Sequence, residues 1–186
     1  MIRISGGLFR GRYIKCPKAG YVRPATNQVR QAIFNHLGDI VRDANVIDLF
    51  AGCGTLGIEA LSRGASTCIF VEKRKLLCKA IRDNLKALGL ESHAHIINED
   101  VFRYEIKGSF HLIFADPPFR QFSEARMKIA QLLLNARKNL AHHGRLILRI
   151  PRLCQDNSIE REATRVLLSG ESKIVVFPTC LLVNKM

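Results

Sequence analysis

Asp116-Pro117-Pro118-Phe119 is the segment whose residue types could most directly do chemistry. It ends an apolar run, Phe110 to Ala115, that reads as a buried strand. Two consecutive prolines forbid helix and hold the backbone rigid, and they push the residues before them into extended conformations. The Pro117 carbonyl then has no local partner and can point into a cleft beside the Asp116 carboxylate. Two acceptors held in this way can grip both hydrogens of an exocyclic aromatic amine. Such an amine is a poor nucleophile because its lone pair is delocalised into the ring. Binding both hydrogens draws the nitrogen toward tetrahedral geometry and frees the lone pair. Phe119 offers a face on which the base would stack, a contact worth about 1–3 kcal/mol. The plainer reading is a proline-stiffened loop with Phe119 packed inward.

A second constellation lies at Asp48 to Ala65, DLFAGCGTLGIEALSRGA. A carboxylate near the end of the apolar run Val46 to Phe50 leads into Gly52 and Gly54, then into a helical pattern with Leu56, Ala60 and Leu61 on one face. Strand, glycine turn and helix start make a floor for a nucleotide-like ligand, because glycine alone lets backbone approach so closely. Gly52, Gly54 and Gly57 spell G-x-G-x-x-G, which suits a nicotinamide as well as S-adenosylmethionine. Asp48 separates the two. A carboxylate before the glycines would repel a doubly negative pyrophosphate, whereas S-adenosylmethionine carries a cationic ammonium and a sulfonium.

Three more acids fall at or just beyond strand ends, Glu72, Asp100 and Asp116, and ligands of open parallel sheets collect there. Glu72 lies at the spacing from the glycines at which an acid accepts ribose hydroxyls, a role common to both cofactors. Asp100 suits an adenine amino group and suits equally well the cap of the turn that follows.

The elements that must position these residues read in order. Thr26 or Asn27 caps a helix with Val29, Ala32, Ile33 and Leu37 on its apolar face. Val46–Phe50, Cys68–Val71, Ala94–Ile97, Phe110–Ala115 and Leu146–Ile150 are continuous apolar strands. Helices separate them: Leu56–Arg63, a stripe of Leu76, Leu77, Ala80, Ile81, Leu85 and Leu88 closed by Gly89, and a long helix from Ser123 to Leu140. That alternation predicts a mostly parallel sheet covered on both faces. Arg165–Leu168 and Lys173–Phe177 read as an antiparallel pair that finishes it.

The 186 residues are expected to form one domain, with residues 1–24 as an appended basic hairpin. The formal charge of +13, from 29 Lys and Arg against 16 Asp and Glu, points to a polyanionic partner. The first 38 residues contain no acid but carry Arg3, Arg10, Arg12, Lys15, Lys18, Arg23 and Arg30. Such an arm would contact phosphates through many salt-sensitive bonds. Phe9 and Tyr13 could stack on bases or pack into the core. The six cysteines include no C-x-x-C and suggest a reducing cytosol rather than a disulfide framework. No metal site is expected. The polar N-terminus does not read as a signal peptide, and no apolar run reaches membrane-spanning length.

R-x-x-G-G-x-x-R-G-R from Arg3 to Arg12, R-P-x-T-x-x-x-R from Arg23 to Arg30, the Asp48–Ala65 loop and D-P-P-F together resemble the bacterial 16S ribosomal RNA guanine-N2 methyltransferase family. The resemblance spans essentially the whole chain. It implies a class I, Rossmann-like methyltransferase fold with a seven-stranded sheet and a final antiparallel strand. It implies S-adenosylmethionine as donor, S-adenosylhomocysteine as product, and guanine N2 of 16S rRNA as acceptor, within a 30S subunit or assembly intermediate. By matching position, Asp48 and the Gly52–Gly57 loop would hold the methionine part, Glu72 the ribose, and Asp100 with Val101 the adenine. Phe50 and Lys73 complete that set. Asp116, Pro117, Pro118 and Phe119 would hold the target base, and Arg3, Arg10, Arg12, Arg23 and Arg30 the RNA. A cytoplasmic monomer is expected. The chain departs from the family at Asn27-Gln28 and Gln31, where an acid-rich run is usual, and at Cys53, where serine is usual. Amino-group DNA methyltransferases share D-P-P-F, and a non-catalytic rRNA-binding assembly factor could share the fold.

Overall fold

The computed structural model describes residues 1–17, 25–118, 120–149, 174–177 and 180–184. At the N-terminus, β1 (Ile2–Arg3) and β2 (Tyr13–Ile14) pair antiparallel as a small hairpin. Then come α1 (Asn27–Leu37), β3 (Asn45–Leu49), α2 (Thr55–Ser62), β4 (Thr67–Val71), α3 (Lys75–Leu88), β5 (Ala94–Ile97) and β6 (Phe110–Ala115). The chain continues through α4 (Arg120–Glu124), α5 (Arg126–Lys138), β7 (Leu140–Leu148), β8 (Ile174–Phe177) and β9 (Cys180–Asn184).

Among the described residues the main sheet runs β5-β4-β3-β6-β7-β9-β8. The first five strands are parallel; β9 is antiparallel to both neighbours. The chain leaves β3 toward β4 and β5, then crosses back to lay β6 on the other side of β3. That reversal opens a crevice beyond the carboxyl ends of β3 and β6.

Alternation along the central strands builds a core on each face. Val46, Phe70, Leu112 and Phe114 join Phe34, Ile58, Ile81 and Leu85 beneath the helices α1, α2 and α3. Ile47, Leu49, Val71, Ile113 and Ala115 face the other way, against Ile129, Leu132 and Leu133 of α5. Both sets are buried, so apolar residues fill successive positions of these strands, broken by Asp48 in β3 and His111 in β6.

Several expectations are corrected. The apolar face of α1 is Val29, Ile33, Phe34 and Leu37, with Ala32 exposed. Leu76 projects from α3 at 57% exposure and lies outside the stripe. The long helix is two helices, with Ala125 between them, and β7 begins at Leu140. Ile174–Phe177 pairs with Cys180–Asn184; residues 165–168, its expected partner, lie outside the described residues. No helix of the described residues is long and apolar enough to cross a membrane.

Candidate active site

Hydrogen bonds between neighbouring strand ends assemble the crevice. Asp116 N–H donates to the Leu49 carbonyl at 3.4 Å, Ala51 N–H to Val71 at 3.0 Å, and Glu72 N–H to Ile97 at 3.0 Å. Three of the four acids read from the sequence at strand ends, Glu72, Asp100 and Asp116, are thereby gathered at one mouth. A cleft opens there. Phe50, Gly52, Glu72, Lys73, Asp100, Val101, Asp116 and Pro118 line it.

The glycine loop works through backbone geometry. Gly52 and Gly54 sit at φ 58° and 76°, and Phe50 takes φ 60°, a conformation costly for a residue with a Cβ. Phe50 packs edge-to-face on Phe102, centroids 5.6 Å apart. Gly57 serves packing instead. A Cβ there would meet the Phe70 ring at 2.3 Å and Cys68 Sγ at 2.6 Å, so the start of α2 lies directly on β4.

Asp48 is 1% exposed and does not line the cleft. Its Oδ2 accepts from Gly57 N–H at 2.9 Å, which fixes the first turn of α2 from beneath. Burial pushes this carboxyl well above its usual range; the Gly57 bond opposes that, while Asp116 and Glu72 add to it. Gly54, Gly57 and Pro117 likewise stand behind the lining. Glu72 braces the loop: Oε2 accepts from Gly52 N–H and Oε1 from Arg74 N–H, each at 2.9 Å. Asp100 caps the next turn through Phe102 N–H at 3.1 Å, and its other oxygen lies 4.0 Å from Lys73 Nζ.

Asp116 is paired with Arg149, Nε to Oδ1 at 2.5 Å. Burial raises its carboxyl to about 6, against the pull of Arg149. The Pro118 carbonyl accepts from Gln121 N–H at 2.8 Å as α4 begins. Phe119 and Arg23 lie outside the described residues. Arg149, Thr55, Arg74, Leu77, Glu99 and Gln121 also line the cleft, and the sequence reading missed them. Arg149 was findable only with β7 known to lie beside β6. Among the described residues no cluster of His, Cys, Asp and Glu could hold a metal.

The basic arm needs two corrections. Arg30 is 2% exposed and is not on the surface. Its guanidinium donates to the carbonyls of Ala25 and Arg3 at 2.7 and 2.6 Å and pairs with Glu59 at 3.7 Å. It fastens the hairpin instead of reaching for phosphate. Arg3 and Arg10 are exposed; Arg12 is exposed too, but is tied to the Ala87 carbonyl at 2.7 Å and lies over the Phe9 ring. The second correction concerns the thiols. Cys16, just past the hairpin, and Cys53, in the glycine loop, are brought sulfur to sulfur with Cα atoms 5.4 Å apart, a span that a disulfide bridges.

A five-stranded parallel sheet finished by an antiparallel strand, with a glycine loop at its switch point, defines the class I, Rossmann-like methyltransferase fold. The chain is 34% identical to YlbH of Bacillus subtilis over 151 residues, covering 78% of this chain and 80% of that one. It is 38% identical over 122 residues to Ribosomal RNA small subunit methyltransferase D of Escherichia coli, covering 64% of this chain and 61% of the relative. The solved structure of yhhF from Escherichia coli superposes with a TM-score of 0.74 at 27% identity, over 98% of this chain and 96% of that one. The model of the family described as Conserved hypothetical protein 95 matches residues 2–173, and the chain belongs to that family. The resemblance read from the motifs is borne out.

Proposed function

We propose that this protein transfers a methyl group from S-adenosylmethionine to the exocyclic N2 amine of a guanine in 16S rRNA. The observation that carries the reading is the meeting of Asp116 with the glycine loop across the β3–β6 reversal, in one cleft. The E. coli relative is named as a small-subunit rRNA methyltransferase, which supports rRNA as the substrate.

The lining suits a cationic cosubstrate. Glu72, Glu99, Asp100 and Asp116 contribute four carboxylates to the cleft against the three cations Lys73, Arg74 and Arg149, a balance that disfavours a doubly negative pyrophosphate. Gly52 with its neighbours and Phe50 would hold the methionine part, with Asp48 fixing that floor from below. Glu72 would hold the ribose, and Asp100, Val101 and Lys73 the adenine side. When bound, S-adenosylmethionine supplies a methyl group on a positively charged sulfur.

The protein's own residues act on the acceptor. Asp116 would take one amine hydrogen, freeing the nitrogen lone pair, with Phe119 against the base; the Pro117 carbonyl, the second acceptor expected from the sequence, stands behind the lining. Positioning supplies most of the acceleration, with no covalent enzyme intermediate. The guanine must be unpaired or flipped to reach this depth. Arg3, Arg10 and Arg12 would hold the surrounding backbone, in a 30S particle or its precursor.

The test is incubation with labelled S-adenosylmethionine and undermethylated 30S particles, followed by nucleoside analysis. Label in N2-methylguanosine is expected, and its loss in Asp116→Ala. Label in another nucleoside, or an undiminished rate in that variant, would refute the reading. A protein that binds the particles and never transfers label would instead be an assembly factor.

A further inference from the structure

Arg149 belongs to none of the motifs that carry the family resemblance, yet it lines the cleft beside Asp116. Its position follows from register. β6 and β7 run parallel with Ala115 opposite Leu148, so the next residues out, Asp116 and Arg149, emerge side by side at the carboxyl ends of their strands. Arg149 N–H donates to the Ala115 carbonyl at 3.0 Å, which holds its backbone in place independently of the side chain. The guanidinium is 11% exposed and the carboxylate 14%, and both line the same cleft.

The setting explains why such a partner is needed. Asp116 lies in low-dielectric surroundings beside the buried carboxyl of Asp48, on the adjacent strand end, with Glu72 beyond it just past β4. Gln121, from α4, is neutral, and Arg120 is turned to solvent against Glu124. Burial away from water favours protonation, and a protonated Asp116 would present a donor where the amine needs an acceptor. A cation on the opposite flank counters this.

Resting on the methyl-transfer reading of this site, we propose that Arg149 is a positioning residue: it engages Oδ1 of Asp116, keeps the carboxylate charged, and leaves acceptance of the base amine to Oδ2. The role differs from that of an RNA-contacting arginine, and the two roles separate kinetically. An arginine that grips RNA sets KM for RNA and does not move the pH profile. An arginine that keeps Asp116 ionised sets kcat and the acid limb of its pH dependence.

The experiment measures kcat and KM from pH 5 to 9 with 30S particles for the full chain and for Arg149→Met, Arg149→Gln and Arg149→Lys. Arg149→Met and Arg149→Gln are each expected to move the acid limb of kcat upward by about one pH unit or more, a tenfold loss on that limb. Arg149→Lys, which keeps the charge, is expected to restore the limb to within a few tenths of a unit. KM for the particles should change less than threefold. The glutamine variant carries the test if the methionine variant does not fold. In an Asp116→Asn background the same Arg149 substitutions should leave the pH profile unmoved. A raised KM with an unmoved acid limb would overturn the proposal and make Arg149 an RNA contact. Loss of activity in Asp116→Ala together with an unmoved limb in the Arg149 variants would sink this inference alone. An undiminished rate in Asp116→Ala would remove the reading on which it rests.

Discussion

Arg30 and Glu59, both almost fully buried, face each other across the junction of α1 and α2 with Nε 3.7 Å from Oε2. Glu59 is held from three more directions, by Ser5 N–H at 2.9 Å, Ser5 Oγ at 2.7 Å and Arg63 Nε at 3.0 Å. Burial lowers the Arg30 pKa while Glu59 opposes the drop. Breaking a buried pair by removing one partner costs roughly 3–5 kcal/mol. Because Arg63 and Ser5 still hold Glu59, Arg30→Met is expected at the lower end of that range by urea unfolding. Its folded fraction should bind RNA as tightly as the parent, which a phosphate-contacting arginine would not allow.

The arm's exposed guanidiniums predict a different behaviour. Affinity for RNA should fall steeply with salt, as expected where released counterions drive binding. Replacing Arg3 or Arg10 by alanine should reduce the slope of log K against log salt by about one each, leaving the melting temperature unchanged. Filter binding across a salt series reads both quantities. A slope unchanged in the double variant would move the RNA interface elsewhere.

Asp116 makes the reaction pH-dependent in a definite direction. Burial lifts its carboxyl to about 6, so it is an acceptor above that pH and a donor below it. The single-turnover rate should therefore rise as pH increases through about 6 and level off beyond pH 7. Asp116→Asn, which cannot ionise, should be slow and flat across the same window. The same shift opposes stability as pH rises. The folded state binds this proton more tightly than the unfolded chain, so its contribution is present below about pH 4 and is lost as pH climbs through about 6.

Gly57→Ala tests the seat of α2. The added carbon would overlap the Phe70 ring and Cys68 Sγ, deep in the core where little can move. Overpacking of this kind costs about 1–3 kcal/mol. A lowered melting temperature and weaker S-adenosylmethionine binding by calorimetry are both expected, since the Asp48–Gly57 bond fixes the same turn.

Glu72→Gln isolates the brace of the glycine loop. Glutamine offers one acceptor oxygen where the carboxylate offers two, so either the Gly52 or the Arg74 N–H loses its partner. Hydrogen bonds to charged groups contribute about 1.5–3 kcal/mol. Donor affinity should drop by tenfold or more in equilibrium dialysis, with little change in RNA affinity.

Local pattern was enough for the strands, and for the acids at their ends. Ala94–Ile97 and Phe110–Ala115 have the bounds their apolar runs predict, and Cys68–Val71 gains only Thr67. Residues buried on both faces leave few other readings. What sequence could not supply was partnership across distance. Arg30 looked like one more phosphate contact because no acid lies near it in the chain; Glu59 meets it only once α1 and α2 dock. Asp48 was expected to touch the ligand and instead supports the loop that would. Arg149 became visible only when β7 settled beside β6. Ala32 and Phe34 exchanged their expected places because α1 turns its stripe toward Phe114, whose ring lies 5.7 Å from that of Phe34.

The hairpin is stitched to residues much later in the chain. Leu8 N–H reaches the Ser62 carbonyl at 2.6 Å, the Ser62 hydroxyl donates to the Gly6 carbonyl at 2.6 Å, and Lys15 exchanges two 2.8 Å bonds with the amide of Asn84 on α3. During synthesis the opening residues therefore emerge well before the surfaces that receive them. The hairpin must wait for α2 and α3 before it can dock, and a nascent chain stalled before α3 would carry that cationic segment unmoored beside the ribosome that is building it.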